Sequence, residues 1–206
     1  MPPMELRGQQ LALRYPQPAD ADALFALARD PEVTRWFSWG PYRTADEPRA
    51  WIAEQERRRE RGEQLDFVVH HREHGPIGVT GLGELSRRDR RAMVGTWLGR
   101  AHWGTGANAE SKALVAHLAF ALCGLERLGA YSNPENARSA RALGALGFRH
   151  EGTLRRWHRH RDHQLDVHVF GMLPEEWERG PLRLRPVTAI GQPPAPWIVR
   201  PAATPS

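Results

Sequence analysis

Residues 102–112, "HWGTGANAESK", hold two glycines one residue apart, a small residue three further on, and then a run of helical composition. Gly104-x-Gly106-x-x-Ala109 satisfies the G-x-G-x-x-G/A pattern of dinucleotide-binding turns. The chemistry such a turn offers is anion binding. Glycine lets the backbone approach a ligand closely. The first N–H groups of a helix have no partner within it, and the helix dipole adds positive potential at that end. The plain alternative is a tight strand-to-helix turn. A dinucleotide site further needs a strand running straight into the turn and an acidic residue about 20 positions later, at the end of the next strand. Here "RAHW" intervenes, and Glu126 precedes the next strand instead of ending it. A dinucleotide turn is therefore excluded, and no phosphate-loop pattern G-x-x-x-x-G-K-[S/T] can be drawn.

Other reactive types are sparse. Cys123 is the single cysteine, which excludes a disulfide framework and a multi-cysteine metal site. It falls in the last turn of a helix with no paired histidine, so it is not expected to form an acyl-enzyme. "WHRHRDH" supplies His158, His160 and His163, but without a Cys/His framework it reads as a solvated basic turn, and no metal is expected. The mixture of tryptophan and arginine in "RRWHRHR" lacks a recognition module, so direct nucleic-acid binding is not expected either.

The elements that must position these residues follow from periodicity. "LALRYP" (11–16) reads as a strand, "QPADADALFALARD" as a helix, and "PEVTRWFSWGPYRT" (31–44) as a loop anchored by Trp36 and Trp39. A charged helix ends near Gly62. "LDFVVHH" (65–71), "PIGVTGLGEL" (76–85) and "AMVGTWLG" (92–99) follow as consecutive antiparallel strands. The clearest helix comes after the glycine turn, with Leu114, Val115, Leu118, Ala119 and Leu122 on one face and Gly124 as its stop. "RLGAYSN" (127–133) is a strand. "NARSARALGALG" (136–147) is a short helix with Asn136 as N-cap and Gly147 just past its end. Two strands, "FRHEGTLRR" and "QLDVHVFGML" (164–173), are joined by the basic segment. The order predicts an α+β fold with a mixed, mostly antiparallel sheet and helices on both faces. From Gly180 proline recurs without period, which predicts a domain over 1–178 and a Pro-rich tail over 179–206, lying on the surface or disordered.

Composition bounds the rest. The 206 residues suffice for one domain of ordinary size, and 40% hydrophobic with 26% charged is the profile of a globular protein. The N-terminus lacks the apolar core of a signal peptide, and the longest apolar run is short of a membrane span, so a cytoplasmic protein with no membrane partner is expected. The net charge of +5 comes almost wholly from arginine, Lys112 being the only lysine. It favours polyanions or a phosphorylated cofactor without choosing among them.

In the order of its elements and in several motifs, the chain resembles the GNAT N-acetyltransferase superfamily, in its branch related to ribosomal-protein N-terminal acetyltransferases. "AHWGTG" matches that family's [Q/R]-x-x-G-x-[G/A] cofactor motif, with Ala101 at the usual Gln/Arg position. "DPEVTRWFSW" (30–39), "VGTWL" (94–98), "NPENARSARALGALGFRHEGTLR" (133–155) and "LDVHVFGMLPEEW" (165–177) match further signatures, so the resemblance spans about residues 5–178. It implies acyl transfer from acetyl-CoA, or another acyl-CoA, to a primary amine by direct attack in a ternary complex. The acceptor would be a small molecule or a peptide, and a homodimer is compatible with the family.

The resemblance also implies roles for residues. The strands 92–99 and 127–133 would splay, leaving backbone groups at Trp97 and Leu98 for the pantetheine arm. The pyrophosphate would lie on the N–H groups of Trp103, Gly104, Thr105, Gly106, Ala107 and Asn108. Asn136 and Ser139 would face the thiol, with Ser139 able to donate a proton to the leaving sulfur. By their own position in the loop, Trp36 and Trp39 are either core anchors or the wall of the acceptor site, and Glu84 is a further candidate to bind the acceptor. The branch's glutamate before the strand glycine is Met93 here, and its last-strand tyrosine is Phe170. The carboxylates left as a base are Glu84, Glu151, Asp162 and Asp166, with Asp166 favoured because the branch often has an acid there. The departures at Met93 and Phe170 keep a second reading open, a non-catalytic or weakly active CoA-binding module.

Overall fold

A computed structural model of the chain describes residues 2–160 and 162–199. A short hairpin, β1 (Glu5–Arg7) and β2 (Leu11–Arg14), leads into helices α1 (Ala21–Ala28), α2 (Pro31–Thr34) and α3 (Asp46–Glu60). Strands β3 (Gln64–His71), β4 (Gly75–Ser86) and β5 (Arg91–Leu98) then form a meander. Helix α4 (Ala107–His117), extended by a wider turn over Leu118–Leu122, crosses to β6 (Arg127–Ser132). Helix α5 (Ala137–Ala145), strands β7 (Arg149–His160) and β8 (His163–Met172), helix α6 (Pro174–Arg179) and β9 (Thr188–Ile190) complete it.

The nine strands among the described residues belong to one sheet in the order β7-β8-β6-β5-β4-β3-β2-β1-β9. Each neighbouring pair is antiparallel except β5 and β6, which run parallel. A parallel pair needs a crossover connection, and α4 supplies it. Side chains alternate between the two faces of a strand. Leu65, Phe67 and Val69 of β3 therefore pack with Leu114, Val115 and Leu118 of the α4 segment. Val68 turns the other way, with Val79 of β4, onto Ala21, Leu24 and Ile52 of α1 and α3. Helices thus cover both faces, as the α+β expectation requires.

Local signals fixed the helix ends well. The Asn136 side chain accepts the N–H of Ser139 at 3.1 Å, and Gly124 and Gly147 take φ of +75° and +95° beyond their helices, a conformation glycine adopts without penalty. Three expectations differ from the structure. The first strand is a hairpin, because Gly8 turns the chain back and β1 pairs β2. The basic segment is strand nearly throughout, β7 running to His160. The Pro-rich stretch is also not merely a surface tail among its described residues. Its β9 pairs the otherwise open edge of β1, and Leu182 and Trp197 are buried in the main core. The indole N–H of Trp197 donates to the carbonyl of Arg59 at 3.1 Å. Proline removed the periodic signal, while a few apolar side chains were enough to dock the segment.

Candidate active site

Strands β5 and β6 are paired over only three positions, Arg91 with Arg127, Ala92 with Leu128, and Met93 with Gly129. The last contact explains the close approach, since a Cβ on Gly129 would lie 2.3 Å from the Met93 sulfur. Beyond it the strands diverge. The gap is a cleft of ≈ 680 Å³ between Val94–Leu98 on one side and Ala130–Asn133 on the other.

The cleft passes through the sheet, and its two halves have different walls. On the α4 face it is bordered by Thr96, Asn108, Lys112, Asn136, Ser139 and Leu143. On the opposite face it is bordered by Trp36, Phe37 and Ser38 from the segment after α2, and by Gln64, Glu84 and Trp97. That second half is roomy because the sheet there is floored by glycine. Gly83 and Gly95 both line it, and a Cβ on Gly95 would meet nothing within 4 Å.

The turn into α4 lies at one end. Gly104 and Gly106 take φ of +77° and +91°, and a side chain at either would find open space. The turn is held from behind. The Trp103 indole donates to the Leu98 carbonyl at 2.8 Å, and the Thr105 hydroxyl donates to the His102 carbonyl at 3.0 Å. Helix α4 begins at Ala107, so its first-turn N–H groups point outward without intrahelical partners. The Arg138 guanidinium lies 3.4 Å from the Trp103 ring centroid, adding a cation beside the same mouth. An anion, or a pyrophosphate, fits this cradle.

Of the residues expected from the sequence, Trp97, Leu98, Trp103, Gly104, Asn108, Asn136, Ser139, Trp36 and Glu84 border the cleft. Thr105, Gly106 and Ala107 form its adjoining turn. Trp39 stands behind the wall, its ring 5.4 Å from Phe37, 5.3 Å from Tyr42 and 5.6 Å from Trp97. Asp166 is a correction. Strand alternation sends Leu165 and Val167 into the cleft and leaves Asp166 exposed outside it. There its carboxylate accepts the Arg156 N–H at 2.7 Å, at a break in the β7–β8 register where Arg156 takes φ of +51°.

The other carboxylates separate in the same way. Glu151 is an ion-pair partner of Arg127, which holds its carboxyl below the usual range. Asp162 is exposed. Glu84 alone of the four borders the cleft, and there it accepts the Tyr131 hydroxyl at 3.1 Å. Burial, and secondarily the Glu84 charge, push the Tyr131 phenol up. Cys123 is fully buried, with its thiol pushed up to about 12 by burial, so it is no nucleophile. No group of His, Cys, Asp and Glu among the described residues could hold a metal ion. No helix among them is long and apolar enough to cross a membrane.

Sequence reasoning missed Lys112, Tyr131, Arg138 and Gln64, all of which border the cleft. Lys112 stands four residues from Asn108, and helical spacing could have placed it on the same face, whereas Arg138, two residues from Asn136, carries no such signal. Nor do Tyr131 and Gln64.

The sequence and the fold are both similar to those of known proteins. Residues 10–149 match the acetyltransferase (GNAT) domain family model. The chain is 31% identical over 170 residues to an uncharacterized N-acetyltransferase, p20, of Bacillus licheniformis, covering 82% of this chain and 96% of that one. A probable GNAT-family acetyltransferase from Chromobacterium violaceum superposes with a TM-score of 0.77 at 27% identity, over 86% of this chain and 90% of that one. The microcin C7 self-immunity acetyltransferase MccE, solved with acetyl-CoA and AMP, has a TM-score of 0.72 over 80% of this chain and 93% of that one. At 17% identity it speaks for the fold alone. The chain belongs to the GNAT acetyltransferase family and is an acetyl-CoA-dependent N-acetyltransferase.

Proposed function

We propose that the chain transfers the acetyl group, or a similar acyl group, to a primary amine by direct attack while both substrates are bound. The observation that carries this reading is the cleft that pierces the sheet. A donor entering along α4 and an acceptor entering over the glycine floor meet at the same gap between β5 and β6. A covalent relay has no support among the described residues, because the one cysteine is buried with a raised pKa.

Acyl-CoA supplies an activated thioester carbonyl. The N–H groups at Gly104–Asn108 and the Arg138 cation hold its phosphates, the Trp103 N–H being taken by the Arg100 carbonyl at 3.1 Å. The β5 backbone around Trp97 and Leu98, on the edge that β6 leaves open, holds its amide arm, the Leu98 carbonyl itself being taken by the Trp103 indole. A backbone N–H of β5 in the gap polarises the carbonyl oxygen. Asn136 fixes the first turn of α5, and Ser139 on that turn hydrogen-bonds the sulfur. On the far side, Trp36 and Trp97 wall the acceptor, and Glu84 receives its ammonium group. The amine must lose a proton before it attacks, and the Glu84–Tyr131 pair is the carboxylate route for it in the described cleft.

Thiol release from acetyl-CoA, followed across a panel of peptide and small-molecule amines, tests this. The expected result is amine-dependent release with intersecting double-reciprocal plots. Parallel plots, together with a protein-bound acetyl group after exposure to acetyl-CoA alone, would refute direct transfer. Release with none of the amines would favour the CoA-binding module.

A further inference from the structure

Lys112 is the residue of the cleft that packing leaves unexplained. It is 5% exposed and borders the gap. Its ammonium donates to the Thr96 hydroxyl, which lies 2.6 Å from the Thr80 hydroxyl. The Thr80 hydroxyl in turn donates to the Gly95 carbonyl at 3.0 Å. These partners are neutral. Glu110, two residues away, is engaged by the N–H groups of Gln10 and Leu11 at 2.7 and 2.9 Å. Glu84 holds Tyr131 across the cleft. The other ionisable groups bordering the gap are His102, Arg138, His158, Arg159 and His160, none of them an acid.

A buried cation without an acid costs free energy, and an apolar side chain of similar length would be cheaper to bury. Burial pulls the Lys112 pKa down to about 7. Of the 29 Lys and Arg residues, this is the one lysine. An arginine would keep its proton at any physiological pH, whereas a buried lysine can release one.

Position agrees with chemistry. Lys112 lies six residues after Gly106, about 9 Å along α4 from the cradle, so a cofactor arm leaving the cradle through the gap passes it. Ser139 faces the same half, but a serine hydroxyl holds its proton far too tightly to be the primary source for a thiol. A group with an affinity near the working pH is the better donor.

We propose that Lys112 gives a proton to the CoA sulfur as the thioester breaks. The amine nitrogen forms its bond to the acyl carbon, and the carbon–sulfur electron pair goes to sulfur. A proton moves from the Lys112 ammonium to sulfur, directly or through the Thr96 or Ser139 hydroxyl. The neutral lysine then recovers from solvent the proton that the amine gave up. This inference rests on the acyl-transfer reading.

The test uses the full chain and CoA with a free thiol. Ultraviolet absorbance of the thiolate, followed against pH, reports the thiol titration of bound CoA. With wild type the thiol and Lys112 are expected to titrate as a coupled pair, the thiolate appearing at least one unit below free CoA, because loss of the thiol proton draws a proton onto the amine and leaves a thiolate–ammonium pair. Lys112→Met should return it to the free value and cut kcat on the order of 100-fold, with the KM for acetyl-CoA within about threefold. Lys112→Arg should keep the titration shift, since the charge stays, yet remain slow at neutral pH. Both the shift and the rate loss are read again in Lys112→Gln, should the Met variant not fold. An unshifted titration in wild type, or a Met or Gln variant with wild-type kcat, overturns the role of Lys112 while CoA binding stands. No CoA binding by wild type overturns the acyl-transfer reading together with it.

Discussion

Replacing Gly106 by alanine separates what the cradle does for the protein from what it does for a ligand. Gly106 has φ of +91° and Gly75, on the β3–β4 turn, has φ of +70°, and a Cβ at either would meet no heavy atom within 4 Å. Both substitutions therefore carry the same penalty, the strain of an L residue in the left-handed region, about 1–2 kcal/mol each. For a chain of this size that lowers Tm by roughly 2–8 °C. They differ only in what would occupy the empty space. At Gly75 it is solvent, whereas at Gly106 it is, on the proposed reading, the cofactor phosphate that approaches the backbone. Acetyl-CoA at 100 times its Kd adds about 2.7 kcal/mol of stability, and a tenfold weaker Kd halves this. Differential scanning fluorimetry with and without acetyl-CoA is the assay. Wild type and Gly75→Ala should show the same ligand-induced rise, and Gly106→Ala about half of it or less. If the two variants lose affinity equally, the cradle reasoning is wrong and the loss is general strain. If Gly106→Ala keeps full affinity, the phosphates lie elsewhere.

Trp197→Ala empties a fully buried site and should cost about 3–5 kcal/mol in urea denaturation, whereas a loosely attached tail would give less than about 0.5 kcal/mol. Asp166→Asn should leave turnover within about twofold, because the side chain faces away from the cleft and an amide oxygen still accepts the Arg156 N–H; a displaced pH–rate profile would restore it as the base. Asp66, half-buried, has its carboxyl pushed up to about 6 by burial. Its folded pKa lies above the unfolded value near 3.9, so the stability it contributes is full below about pH 4 and is lost as pH rises through 6. Asp66→Asn should flatten stability between pH 4 and 6 and gain roughly 3 kcal/mol at pH 7; an unchanged slope in that window would refute the assignment.

The sequence alone carried what depends on neighbours within a turn or two. The glycine pair, the Asn136 cap and the Gly124 and Gly147 stops are local devices, set by φ and by unpaired N–H groups, and all four occur at their expected places. Hydrophobic period carried the strands β3 to β5 and the helix α4, because burial on one face repeats at a fixed interval. Asp166 shows where this ends. A residue type in a strand does not say which face it takes until the register is known, and one step separates the cleft-lining Leu165 from the exposed Asp166. Lys112, Tyr131 and Gln64 come from three separate elements and meet only because β5 and β6 part after Met93 and Gly129. The docking of Trp197 against Arg59 joins residues 138 positions apart. Contacts of that kind leave no periodic trace, since their free energy is gained only when the whole sheet has closed.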